Sequence, residues 1–146
     1  MRNIILATGE HIPSVASLEA ATFADPTSEG ALMSLMSTEG AFCAACVEGE
    51  ELIGFCTVVT VLDEAQIINV ATDARHKRQG IASDVLRFVL DECRGRGIIS
   101  ISLEVRESNE AAKALYRAHG FAVAGTRRDF YKNPRENALV MVKNLD

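Results

Sequence analysis

The segment Arg75-His76-Lys77-Arg78-Gln79-Gly80-Ile81-Ala82-Ser83 holds residues in the order an anion site requires. Cationic side chains come first. A glycine follows, with no Cβ to keep a ligand away from the backbone, and then an apolar-periodic helix begins. The unpaired N–H groups of a first helical turn and the helix dipole both favour negative charge. Arg78, Gln79, Gly80, Ile81, Ala82 and Ser83 are therefore candidate phosphate ligands. The segment contains neither G-x-x-x-x-G-K-[ST] nor G-x-G-x-x-G, which argues against ATP and NAD. A solvated basic loop or a nucleic-acid patch is the alternative reading. Nucleic acid calls for aromatic platforms or a broad basic face. The chain has no Trp, two Tyr and a net charge of −5, so a single small phosphorylated ligand fits better and no nucleic-acid partner is expected.

Four cysteines offer a second kind of chemistry. Cys43-Ala-Ala-Cys46 has the spacing of a zinc half-site or a redox pair. A zinc site needs two further ligands, and the chain has no second C-x-x-C and no His pair. Residues 41–47 also read as a buried strand, on which an odd offset puts Cys43 and Cys46 on opposite faces. Free buried cysteine behaves as a small hydrophobe, so no metal is expected.

The elements that must present these groups follow from periodicity. Strands are expected at residues 4–8, 41–47, 52–61, 66–72, 98–105, 121–125 and 138–144, and helices at 12–23, 28–36, 80–96 and 109–119. Glu48-Gly49-Glu50-Glu51 is a hairpin connection between two β-rich runs. The helix from Gly80 gathers Ile81, Val85, Leu86, Val89, Leu90 and Cys93 on one face, with Arg87, Asp91 and Arg94 opposite. In the strand after it, Ile99, Ile101, Leu103 and Val105 share one face and Ser100, Ser102 and Glu104 the other. Strand 66–72, helix 80–96 and strand 98–105 form a βαβ crossover, which makes two parallel strands. The fold class is α/β, or α+β by a stricter label, with a mixed and mostly antiparallel sheet.

A chain of 146 residues fits one domain, residues 1–146. No run approaches the ~18 apolar residues of a membrane span, and Ile4-Ile5-Leu6-Ala7 is shorter than a secretory apolar region of ~7–15 residues. A cytoplasmic protein with no membrane partner is expected. Charge is divided: residues 1–70 hold one basic and ten acidic residues, and residues 71–146 hold 14 basic and ten acidic. An acidic half suits a cationic partner and a basic half an anionic ligand, or the division is uneven surface decoration.

Lys77-x-x-Gly80-x-Ala82 resembles the Q/R-x-x-G-x-G/A pyrophosphate loop of the GNAT superfamily of N-acetyltransferases, with Lys77 in place of the usual Gln or Arg. Further stretches resemble its bacterial ribosomal-protein-alanine N-acetyltransferase branch: Val61-Leu62-Asp63-Glu64-Ala65, Asn69-Val70-Ala71, Leu103-Glu104-Val105-Arg106, Ser108-Asn109, Ala114-Leu115-Tyr116, Gly120-Phe121 and Phe130-Tyr131. The likeness covers about residues 53–142. Where that branch tends to show F-P-W-S, this chain has Asp25-Pro26-Thr27-Ser28.

The resemblance implies the GNAT fold, acetyl-CoA as co-substrate and direct acetyl transfer to an amine. The expected acceptor is the N-terminal alanine of a ribosomal protein; a small-molecule amine or a lysine side chain is the alternative, and a non-enzymatic CoA-binding module a third reading. The chemistry needs a neutral amine, donors for an oxyanion and a proton for the thiolate. By resemblance, Glu104 takes the amine proton and Tyr116 protonates the thiolate. Val70, Ala71 and Thr72 would run beside the pantetheine, where the parallel strands splay and the Val70 N–H meets the thioester oxygen. Asn109 would reach the pantetheine arm, cap its helix, or do both. Tyr131, placed in the loop before the last strand, would clamp a peptide or simply pack in a hairpin. Asp63 and Glu64 would receive a basic peptide or form a polar turn.

Overall fold

A computed structural model describes residues 1–145. Seven strands form one sheet: β1 (Arg2–Leu6), β2 (Ala41–Glu48), β3 (Glu51–Val61), β4 (Glu64–Thr72), β5 (Ser100–Arg106), β6 (Ala122–Tyr131) and β7 (Glu136–Asn144). The strand order is β1-β2-β3-β4-β5-β7-β6, and every pairing is antiparallel except β4 with β5. The helices are α1 (Ile12–Thr22), α2 (Glu29–Met36), α3 (Ile81–Gly95) and α4 (Glu110–Ala118). Short 3-10 turns lie at Gly9–His11 and Ala74–His76. This is the mixed α/β sheet with a parallel βαβ unit that the periodicity implies. No described helix is long and apolar enough to cross a membrane.

Each face of the sheet carries its own core. On one face, the six apolar positions of α3 pack on Ala44, Cys46 and Cys56 of the meander and on Ile101, Leu103 and Val105 of β5, with Tyr116 and Phe121 beside them. On the other, Ile12, Val15 and Leu18 of α1 and Leu32 of α2 pack on Cys43, Phe55 and Ala71. The four cysteines are free and buried, and Cys43 and Cys46 fall on opposite faces as strand alternation requires. Burial pushes the Cys43 thiol up to about 12.

Three expectations need correction. The strand placed at 121–125 runs to Tyr131, because its exposed charged half still pairs with β7, through Arg127↔Ala138 and Tyr131↔Glu136. Tyr131 therefore ends a strand and does not sit in a loop. Ile99 lies before β5 and is 55% exposed, outside the apolar face assigned to it.

Candidate active site

The site forms where the two parallel strands separate. β4 and β5 pair only over Glu64↔Ser100, Ala65↔Ile101 and Gln66↔Ser102. One residue of β4, Ile68, is then unmatched against β3. Such a bulge re-aims the strand beyond it. After it, the N–H of Asn69 donates to Thr57 Oγ1 at 3.2 Å and that of Asp73 to the Ile53 carbonyl at 2.8 Å, both toward β3. Backbone groups alternate along a strand. The N–H groups of Val70 and Thr72 therefore point the other way, into the opening beside β5, while Ala71 turns its side chain to the α1 core.

A cavity of about 420 Å³ occupies this opening. Its walls include Asn69 and Val70 of β4, Glu104 and Arg106 of β5, Asn109 and Tyr116 around α4, Phe23 and Asp25 after α1, Tyr131 at the end of β6 and Asn133 after it. A larger groove of about 710 Å³, beside Glu48, Glu50, Glu51 and Asp73, holds none of these groups.

Glu104 and Tyr116 approach the cavity from opposite faces of the sheet. Leu103 and Val105 belong to the α3 core, so Glu104 between them faces the α1 side. Its carboxylate accepts from Gln66 Nε2 at 2.7 Å and pairs with Arg127 Nε at 3.1 Å. Tyr116 packs in the α3 core, its ring edge-on to Phe121 at 5.8 Å between centroids. Burial raises its hydroxyl pKa well above the usual range, so at neutral pH the group is a proton donor. Asn109 caps α4 by accepting the Ala112 N–H at 3.1 Å.

The loop before α3 leaves backbone donors free at the start of the helix. Gly80 adopts a left-handed conformation (φ +77°) and offers no side-chain cap. The first helical hydrogen bond runs from the Asp84 N–H to the Gly80 carbonyl at 3.0 Å, which leaves the N–H groups of Ile81, Ala82 and Ser83 for a ligand. Nothing lies within 4 Å of where a Gly80 Cβ would stand. Gln79 and Arg78 are exposed beside it, and Arg78 also has positive φ, +65°. Arg75 is occupied, at 2.6 Å from Glu51 and 2.9 Å from Asp73.

One residue that positions this helix is not evident in the sequence. A Cβ on Gly54 of β3 would stand 2.7 Å from Ile81 Cγ2, so Gly54 lets the start of α3 press against the sheet. The only sign is a glycine inside a β-run, which marks close approach.

Tyr131 is half-buried beneath the Arg106 guanidinium, 4.4 Å from its ring centroid. Burial and the nearby Glu104 charge raise its hydroxyl pKa. Arg106 also donates to the Pro134 carbonyl at 2.9 Å and Glu136 at 3.2 Å, which ties the β6–β7 connection to β5. Asp63 and Glu64 are not brought to the cavity. They lie at the paired end of β4, where the Ile99 N–H donates to the Asp63 carbonyl, while the opening lies toward the other end of the strand. Adjacency in sequence to β4 is not proximity to its far end.

A model of the Acetyltransferase (GNAT) family matches residues 12–121. The [ribosomal protein bS18]-alanine N-acetyltransferase of Escherichia coli K12 is 41% identical over 93 residues, which cover 62% of this chain and 63% of that protein. The putative [ribosomal protein bS18]-alanine N-acetyltransferase of Bacillus subtilis 168 is 31% identical over 133 residues, 90% of this chain and 88% of that one. The crystal structure of the Escherichia coli ribosomal-protein-S18-alanine N-acetyltransferase superimposes with a TM-score of 0.93 at 32% identity, covering 100% of this chain and 95% of that chain. The parted parallel strands, the uncapped helix start and the family match over three-quarters of the sequence have one reading: the chain belongs to the GNAT family of acetyltransferases.

Proposed function

We propose that the protein transfers the acetyl group of acetyl-CoA to the N-terminal α-amine of a ribosomal protein that begins with alanine. The observation that carries this reading is the two-sided opening between β4 and β5. The anion-binding start of α3 lies on one face. The loop after α1 lies on the other. A phosphorylated donor entering from the first side and an amine from the second meet at the Val70 N–H.

In this arrangement the N–H groups of Ile81, Ala82 and Ser83 hold the pyrophosphate, with Gly80 leaving room and Arg78 and Gln79 flanking it. Val70 and Thr72 present N–H groups to the thioester arm, and Asn109 borders its inner end. Glu104, on the acceptor side, takes the proton released when the amine attacks. The Val70 N–H donates to the oxyanion. Tyr116, on the donor side, gives its proton to the departing thiolate, and the two protons balance across the opening. Tyr131 and Phe23 border the acceptor. Transfer is direct in this reading, with no acyl-enzyme; its support is that the four cysteines are buried and burial raises their thiol pKa values.

A small-molecule or lysine amine is the second reading. It is favoured by Asp25-Pro26-Thr27-Ser28, which stands where the ribosomal-protein branch tends to show F-P-W-S and places Asp25 on the acceptor side of the cavity. The test compares two peptides of one basic sequence with an internal lysine, one with a free N-terminal alanine and one with that amine blocked. Mass spectrometry then locates the acetyl group. Modification of the free alanine alone supports the first reading. Modification of lysine in both peptides, or of neither peptide, turns the assignment to other amines.

A further inference from the structure

A carboxylate that the transfer chemistry does not use lies at the base of the acceptor-side loop. Glu19, on α1, has 0% exposure. Its Oε1 accepts the Thr27 backbone N–H at 2.8 Å, and its Oε2 accepts from Asn69 Nδ2 at 3.0 Å. Thr27 closes the loop that begins at Phe23, and Ser28 after it caps α2 by accepting the Ala31 N–H at 3.1 Å. Phe23, Ala24 and Asp25, between these two ends, line the cavity. Asn69 follows the Ile68 bulge and directly precedes Val70, whose N–H faces the opening.

Packing alone does not call for an acid here. A buried carboxylate is costly unless its oxygens are satisfied, and an apolar side chain would fill the space more cheaply. What the carboxylate adds is two acceptors aimed at two separate elements. We propose that Glu19 is a positioning residue that sets the acceptor loop, residues 23–27, at a fixed distance from the strand that receives the thioester. The inference rests on the acetyl-transfer reading above.

The test uses the full chain, acetyl-CoA and the free-alanine peptide. Glu19→Gln keeps the shape but removes the charge from the acceptor of the Thr27 N–H, and the Asn69 amide must turn over to offer Oδ1 to the new NH2 group. The peptide KM should rise roughly tenfold, which is about 1.4 kcal/mol for one lost charge-assisted hydrogen bond. The acetyl-CoA KM should stay within about twofold, since α3 is untouched. Hydrogen exchange at the amides of residues 23–27 should quicken. Adding Asn69→Asp reverses the donor and acceptor, and should bring the peptide KM back to within about threefold of wild type.

An active wild type whose peptide KM is unmoved by Glu19→Gln overturns the inference and leaves the transfer reading intact. So does a loss shared equally by both KM values that the double variant fails to rescue, which marks a purely structural role. A wild type inactive on the free-alanine peptide overturns the transfer reading itself, and this inference with it.

Discussion

Gly54→Ala probes the contact that seats α3 against the sheet. The added methyl would stand 2.7 Å from Ile81 Cγ2 and 3.4 Å from the Ala71 carbonyl oxygen. Ordinary carbon contacts are ~3.5–4.0 Å, so Ile81 must retreat by about 1 Å. Ile81 is 2% exposed and cannot swing into solvent. Overpacking of this kind costs about 1–3 kcal/mol, against which alanine recovers at most about 1 kcal/mol of chain entropy. A net loss of about 1–2 kcal/mol lowers Tm by roughly 2–8 °C in a chain of this size. The retreat also moves the free N–H groups of Ile81, Ala82 and Ser83 away from Val70, so the acetyl-CoA Kd should rise about three- to tenfold while the peptide KM holds. Calorimetric titration with acetyl-CoA and thermal unfolding read both effects. Ile81→Leu, which lacks the Cγ2 methyl, should restore part of each loss when combined with Gly54→Ala. A Gly54→Ala protein with unchanged Tm and unchanged Kd would refute the close-approach argument.

Other consequences are as direct. Glu104→Gln should lower kcat about 10²–10⁴-fold and leave acetyl-CoA affinity within about twofold, as rapid-quench and titration measurements would show; full activity at neutral pH would remove Glu104 as the base. Gly80→Glu puts a bulky anion into the space left open beside the helix start and strains a residue at φ +77°, so acetyl-CoA binding should be abolished in a titration while far-UV circular dichroism stays native. Stability should fall as pH rises past 9. The Cys43 thiol ordinarily ionises near 9.0 but near 12 when folded, so above pH 9 the unfolded chain releases a proton that the folded chain keeps. The contribution is complete below pH 9 and is lost up to about pH 12, and Cys43→Ala should flatten that slope in urea titrations at pH 8, 9 and 10.

Regular patterns made much of the fold legible in the sequence. All six apolar positions assigned to α3 are buried, because a 3.6-residue stripe admits only one packed face. The capping role of Asn109 and the hairpin around Gly49 were equally readable. The longer β6 was not: Arg127, Arg128 and Asp129 look like a loop, and only the pairings of Arg127 and Tyr131 with β7 on either side of an irregular stretch extend the strand. Gly54 carried no chemistry of its own, and its role appears once Ile81 is seen against it. Nothing local to Glu19 announces partners 8 and 50 residues away, so its role is visible only in the fold. Asp63 and Glu64 show the converse. They sit beside the right strand in sequence and at its paired end in space.

Direct transfer across the β4–β5 opening is the central claim, and one measurement meets it squarely: intact-mass analysis of the enzyme after incubation with acetyl-CoA, with and without the free-alanine peptide. The account predicts an unmodified enzyme in both samples, with CoA released and the peptide heavier by one acetyl group only when the peptide is present. An enzyme that gains an acetyl group from acetyl-CoA alone and passes it to peptide added later would contradict it.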